Sequence, residues 1–296
     1  MEPSTYCGAS DDHVHYDNYE LIAGKAIKLF EVDGIDENTL WIDMKNCSGS
    51  MDEITFSLLP NLQLISMDKC DIKSCSKAFS QIEKLETLHI NKSKFPFEAI
   101  TFEGNRGITT LHIQDVKSPL IACFQHLNKL EHLSLEGCNL ETINKEFLTG
   151  LDSLKGLSIS KCHIKTIETD IFRDLSELEG LDIRDCEISE ITSDVFNNLP
   201  KLKFLSFHHN KIDSEIDLNN LNQLESLQTI HFDINIYRSL LYDNFPNLKN
   251  VKIGYDDEEN IEDEDIIEML KSKNISTEYV FCGSIDYNSD EMEECY

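Results

Sequence analysis

The chain has 296 residues, 55 of them Asp or Glu against 26 Lys or Arg, for a formal net charge of −29. That imbalance argues against nucleic acid and anionic membrane as partners, whose phosphates need a basic surface, and favours a basic protein surface, a polyamine or a divalent cation. No apolar run approaches the ~20 residues of a membrane-spanning helix, and none near Met1 reads as a signal segment, so the chain is expected to be secreted with its leader removed or, alternatively, cytoplasmic.

Residues 1–38 show no repeat and are expected to form an N-terminal cap. Within them His13 and His15, flanked by Asp11, Asp12 and Asp17, share a face if the segment is extended. From Thr39 onward one pattern returns. TLWIDMKNCSG opens at Thr39, LQLISMDKCDI at Leu62, LETLHINKSKF at Leu85, ITTLHIQDVKS at Ile108 and LEHLSLEGCNL at Leu130. It continues as LKGLSISKCHI at Leu154, LEGLDIRDCEI at Leu178, LKFLSFHHNKI at Leu202, LQTIHFDINIY at Leu227 and LKNVKIGYDDE at Leu248. The starts lie 21 to 25 residues apart, and the copies at Thr39 and Leu248 are degenerate. A period of this length marks stacked units, each burying its apolar side only against its neighbours.

The pattern LxxLxLxx(N/C)xL gives each coil one short strand with alternate residues turned into a shared core. In the coil at Leu130, the inward residues are Leu130, Leu133, Leu135, Cys138 and Leu140, while His132, Ser134 and Glu136 face out. A second regularity lies in the returning half. Phe56, Phe79, Phe102, Phe124, Phe172 and Phe196 each precede the next coil's first apolar position by six residues, and Leu148, Leu221 and Tyr242 hold that place elsewhere. An aromatic there fills the core without requiring a full helix.

On these motifs residues 39–256 resemble the typical class of leucine-rich repeats in animal extracellular proteins, found in Toll-type receptor ectodomains and in secreted arthropod immune proteins. The resemblance implies an α/β solenoid, a curved horseshoe of about ten repeats with a parallel β-sheet on its concave face and a mostly irregular or 3-10 convex side. It implies a protein-binding recognition module that uses the concave face and is secreted and immune-type, or Toll-ectodomain-like. The alternative is an intracellular scaffold or substrate-recruiting adaptor. The sequence holds no glycine-rich phosphate loop, strand-elbow serine motif or HExxH, so neither enzyme activity nor a cofactor is expected.

The acidity is concentrated at the end. From Asp256 onward 15 acidic residues face only Lys271 and Lys273, and acids early with lysines late read as a short helix aligned with its dipole. Residues 257–282 are thus expected to cap the stack, with Ile261, Ile266, Ile267, Met269 and Leu270 closing the last coil; residues 283–296 read as an acidic, mobile tail.

Five of the ten cysteines, Cys47, Cys70, Cys138, Cys162 and Cys186, fall at the ladder position that Asn210 and Asn235 occupy in later coils. They read as buried reduced thiols and not as metal ligands, since no His or CxxC spacing accompanies them. Cys7, Cys75, Cys123, Cys282 and Cys295 are the disulfide candidates, and an odd set leaves a thiol for a disulfide-linked partner chain. Asn46, Asn91 and Asn274 begin glycosylation sequons, Asn274 being the best acceptor.

Outward strand positions supply the candidate partner-binding residues. Trp41, Leu64 and Phe204 are the expected anchors, because exposed apolar and aromatic groups dominate interface energetics; the alternative is that the N-terminal cap covers them. His89, His112 and His132 form one group, and His208, His209 and His231 with Asp233 another; both are expected as solvated surface groups, the alternative being a divalent-metal site or a pH sensor; Asp182 and Arg184 lie on the same polar face. The face is expected to take a protein ligand with a basic surface.

Overall fold

The computed structural model describes residues 9–10, 13–17, 20–26, 38–120, 122–191, 193–212, 221, 223–233, 246–255 and 264–281. Its contacts divide the chain into one unit of Met1–Leu140 with Lys145–Leu154, and another of Glu141–Asn144 with Lys155–Tyr296. Each is a stretch of solenoid.

In the first unit the strands Trp41–Lys45, Leu64–Asp68, Thr87–Asn91, Thr110–Gln114 and His132–Glu136 pair in parallel, each with the next. Their registers match the repeat: Leu64 faces Thr87, Thr87 faces Thr110 and Thr110 faces His132. From Leu64 onward these strands alternate half-buried and buried residues, as a sheet with one face on the core requires. The ladder also runs into the segment expected as a cap. His13–Asp17 pairs in parallel with Trp41–Lys45 and buries Val14 and Tyr16, so the ladder begins ahead of Thr39.

In the second unit Gly156–Ser160, Gly180–Arg184, Phe204–Ser206, Thr229–Asp233 and Asn250–Tyr255 form the same parallel ladder. The expected C-terminal helix is present as Glu264–Ser272, and the chain after it returns to the sheet: Ser276–Phe281 pairs in parallel with Asn250–Tyr255. Leu270 and Ile275 are buried there. Ile261 and the tail 283–296 lie outside the described residues.

The core follows the repeat. Leu130, Leu133, Leu135, Cys138 and Leu140 are all buried, and so are the six phenylalanines of the returning segments. These stack from coil to coil, Phe56 on Phe79 at 6.1 Å and Phe79 on Phe102 at 5.7 Å between ring centroids. Where Leu148 was expected to hold the aromatic place, Phe147 of the short helix Lys145–Leu148 meets Phe124 edge-on at 5.4 Å. The returning segments are mostly turns. They include a 3-10 turn at Ser193–Phe196 and two small parallel sheets, one of Glu20–Leu21, Ser48–Asp52 and Asp71–Ser76, the other of Thr142–Ile143 and Thr166–Ile167. Gly49 sits in the first with a φ of 127°, where a Cβ would run into the Leu21 carbonyl.

In eight coils the residue after the last outward position is left-handed. Asn46, Lys69, Lys92, Asp115, Gly137, Lys161, Asp185 and His209 all have φ between 47° and 60°. This turns the chain off the sheet and presents the ladder residue to the strand carbonyls. Cys70 Sγ then donates to Met44 O at 3.4 Å, and Cys138 Sγ to Ile113 O at 3.4 Å. Asn210 makes the stronger version, with Nδ2 at 2.8 Å from Ile183 O and 3.0 Å from Phe207 O. Asn235 lies outside the described residues.

Two of the disulfide candidates are corrected. Cys75 and Cys123 are free thiols, buried in the core, and burial pushes both thiols up, Cys123 to about 12. Both lie in returning segments that turn inward to the core. Cys7, Cys282 and Cys295 lie outside the described residues.

Candidate functional site

On the sheet face of the first unit an aromatic is exposed. Trp41 is 41% exposed, and the register sets it beside half-buried Leu64. Next to this pair the central row carries His15, whose Nδ1 lies 3.5 Å from Asp43 Oδ2. Further along, His89 and His112 meet edge to face at 4.7 Å. Burial lowers the pKa of both; for His112, nearby His89 and His132 lower it further, to about 4, whereas Asp43 partly opposes the shift at His89. These two imidazoles are therefore neutral at pH 7.

The second unit departs from expectation. Asp182 is 5% exposed, His208 2% and His231 6%, and Ser158, Ser160 and Ser206 are buried with them. The expectation of solvated histidines is thus corrected for His208 and His231. Outward residues on neighbouring strands lie ~4.8 Å apart, and here contacts along and across the coils shield them. Along their own coils Arg184 Nε lies 3.4 Å from Asp182 Oδ2 and Ser206 Oγ 2.8 Å from His208 Nδ1; across to the next coil His208 stacks on His231 at 3.8 Å.

Electrostatics follow from that packing. Burial raises the pKa of Asp182, opposed by Arg184 and by the Ser206 and Ser158 hydroxyls. Burial also lowers His208 to about 2, with His231 and Arg184 adding to the effect, and His231 to about 3, with Lys252 and Arg184 adding. Beside them His209 Nδ1 lies 2.7 Å from Asp185 Oδ1, and the His209 amide donates to Asp233 Oδ1 at 2.9 Å. Asp182 Oδ1, His208 Nε2 and His231 Nε2 have no hydrogen-bond partner. Phe204 stays half-buried at the edge of this cluster.

The sequence supplied most of these residues but not their coupling. Ser206 was read as an outward position but not singled out, and Asp185 was passed over, although the 24-residue spacing that places Asp182 opposite Ser206 was readable from the repeat. Among the described residues no group of three or more His, Cys, Asp or Glu is placed to hold a metal ion, and no helix is long and apolar enough to cross a membrane.

Of the sequon asparagines, Asn46 and Asn274 are exposed. Asn91 is engaged, its Nδ2 donating to Asp68 Oδ1 at 2.7 Å, and Ser93 of its sequon is a buried ladder residue.

The family model described as leucine-rich repeat region matches residues 105–289. The chain belongs to the leucine-rich repeat family. Among solved structures, the crystal structure of a TLR13–ssRNA13 complex matches with a TM-score of 0.65 and 20% identity, over 74% of this chain and 36% of that one. The leucine-rich repeats here therefore span about a third of that receptor chain, and at this identity the likeness is one of fold. No curated protein matches.

Proposed function

We propose that this leucine-rich repeat protein is a secreted, immune-type recognition module, Toll-ectodomain-like, that binds a protein ligand on its sheet face. The observation that carries the reading is Trp41, an aromatic exposed at 41% on an outward strand position beside Leu64, where packing would favour a polar group unless a partner covers it. Trp41 and Leu64 serve as anchors, and His89, His112 and His132 extend the contact surface. The TLR13 structure contains single-stranded RNA; with a net charge of −29 this chain suits a basic protein instead. Catalysis has no part in this reading.

Secretion is supported by exposed Asn274 as a glycan acceptor. The second reading, an intracellular scaffold or adaptor, is favoured by the buried reduced thiols, Cys75 and Cys123 among them. Affinity capture from the native extracellular fluid tests the first. A partner retained by the wild type and lost from the Trp41→Ala, Leu64→Ser double variant is the expected result; equal recovery by both sinks the anchor assignment. A mass loss from the natural protein on enzymatic deglycosylation is expected too, and its absence at Asn274 favours the scaffold.

A further inference from the structure

We infer that the first unit carries a second interaction surface, for a short acidic segment of a protein partner. It lies on the lysine-bearing turns that leave the strands Trp41–Lys45, Leu64–Asp68, Thr87–Asn91 and Thr110–Gln114. This surface goes beyond the Trp41 and Leu64 anchors and takes a partner of the opposite charge.

The acidity of the chain stops short of this region. Residues 38–120 hold 10 Asp or Glu against 9 Lys or Arg, so nearly all of the net −29 lies elsewhere. In the four turns, residues 45–48, 68–73, 91–94 and 114–117, Lys45, Lys69, Lys73, Lys92, Lys94 and Lys117 stand against Asp68, Asp71 and Asp115. All of these lysines are exposed. Lys69 lies 3.9 Å from Asp68, Lys94 lies 3.3 Å from Asp71, and Lys117 donates to the Gly137 carbonyl at 3.0 Å. Among the described residues Lys73 and Lys92 have no ion-pair partner.

Placement adds to composition. Lys69 and Lys92 occupy one position in consecutive coils, the Lys69 amide donating to Asn91 O and the Lys92 amide to Gln114 O, so their backbones lie ~4.8 Å apart. Elsewhere lysines set against a neighbouring coil meet acids: Lys77 meets Glu103 at 2.8 Å, Lys203 meets Glu179 at 2.6 Å and Lys211 meets Glu187 at 3.4 Å. Here like charge stands beside like charge. Both lysines also hold left-handed φ, 53° and 47°, a conformation that suits Asn, Asp or Gly, and Asn46 takes it in the preceding coil. Strain and repulsion that an asparagine would avoid mark side chains retained for a function.

Size and surroundings select the occupant. Four coils at ~4.8 Å spacing span roughly 14 Å, the reach of about five residues of extended chain. At the two ends of the register row, Asp17 holds the place beside Lys45 and Glu136 the place beside Gln114. A long polyanion such as a sulfated glycan would run on to those acids, whereas a short run of carboxylates stays on the lysines. Charges more remote than about 8 Å are screened at physiological salt.

The test uses the full chain and isothermal titration calorimetry at low and high salt, with a blocked pentaglutamate peptide as probe and blocked pentaglutamine and heparin as comparisons. Pentaglutamate is expected to bind at low salt and pentaglutamine not, and the binding is expected to fade at high salt. Lys69→Asn with Lys92→Asn installs the residue that the chain itself uses at position 46. That pair is expected to weaken pentaglutamate binding about tenfold, the scale of two exposed ion pairs, with a melting temperature unchanged or higher. Lys161→Asn, the same exchange at the same left-handed place in the second unit, is expected to leave binding intact. Trp41→Ala with Leu64→Ser is expected to bind pentaglutamate as the wild type does, which tells failure of the sheet-face anchors from failure of this surface. Pentaglutamate binding that is absent, indifferent to the Lys69 and Lys92 changes, or equally weakened by Lys161→Asn overturns the inference. Heparin that binds through the same two lysines while pentaglutamate does not overturns it in favour of a long polyanion.

Discussion

The imidazole of His208 lies over that of His231 with ring centroids 3.8 Å apart and planes 16° from parallel. Two charged rings would not tolerate that arrangement, so the stack exists only with both neutral. Their folded pKa values, about 2 and about 3, lie below the 6.5 of an unperturbed histidine. As pH falls the unfolded chain therefore takes up protons first. The stability held by the stack is complete above about pH 6.5 and is lost progressively on descent toward the folded values. Urea midpoints at pH 7, 6 and 5 should fall more steeply for the wild type than for a His208→Gln, His231→Gln variant. Parallel pH profiles would refute the assignment.

The buried thiols give a second prediction. Cys75 and Cys123 have raised pKa values through burial, as do Cys70 and Cys186, with Cys47 beside Cys70 the largest influence on that thiol. Thiolates are the reactive species, so alkylation of the native protein at pH 8 should leave these four peptides unmodified, and guanidinium should expose all of them. Rapid native labelling of Cys75 or Cys123, or recovery of either in a disulfide, would contradict the structure.

The ladder position allows donors of different strength to be compared. Asn210 Nδ2 serves the carbonyls of Ile183 and Phe207, whereas Cys186 Sγ donates to Arg184 O at 3.2 Å and stands 4.0 Å from Ile159 O. Asn210→Ala should cost about 1–3 kcal/mol by stranding buried acceptors. Cys186→Ala should cost less, because a thiol is a weak donor. Chemical denaturation that ranks the two in the opposite order would show that packing and not hydrogen bonding governs the position.

Left-handed lysines invite a stabilising change. Lys69, Lys92 and Lys161 adopt φ of 53°, 47° and 52°. A residue with a Cβ is strained there by about 1–2 kcal/mol, and glycine avoids that strain at an entropic cost of about 0.5–1 kcal/mol. Each Lys→Gly change should therefore raise the melting temperature slightly, and Lys161→Val should lower it. A fall on Lys161→Gly would mean that the lysine side chain contributes more than its backbone strain costs.

The repeat made the inward residues legible because burial enforces them: Leu130, Leu133 and Leu135 recur mostly as leucine or isoleucine, with Met44, Met67, Phe207, Phe232 and Val251 at the same buried places in other coils. The phenylalanine stack was legible for the same reason. The left-handed position was not, since Lys69, Lys92 and Lys161 carry no local signal for such a φ, and only Asn46, Asp115, Asp185 and Gly137 hint at it. The strand His13–Asp17 was missed because its coil lacks the leucines of the pattern and is recruited by pairing with Trp41–Lys45. Alternation placed Asp182, His208 and His231 on the correct face but gave them the wrong surroundings, because a period of two specifies direction and says nothing of what the neighbouring strand presents.

The register between strands stays fixed while the returning segments differ in length. In the first unit the row through Trp41, Leu64, Thr87, Thr110 and His132 advances by 22 or 23 residues; in the second the row through Gly180, Phe204, Thr229 and Asn250 advances by 24, 25 and 21. Insertions and deletions are thus absorbed behind the sheet, and each coil contributes three outward side chains at predictable coordinates. Selection can rewrite such a grid one cell at a time, so the binding preference of this protein is free to drift across a lineage while its scaffold stays the same.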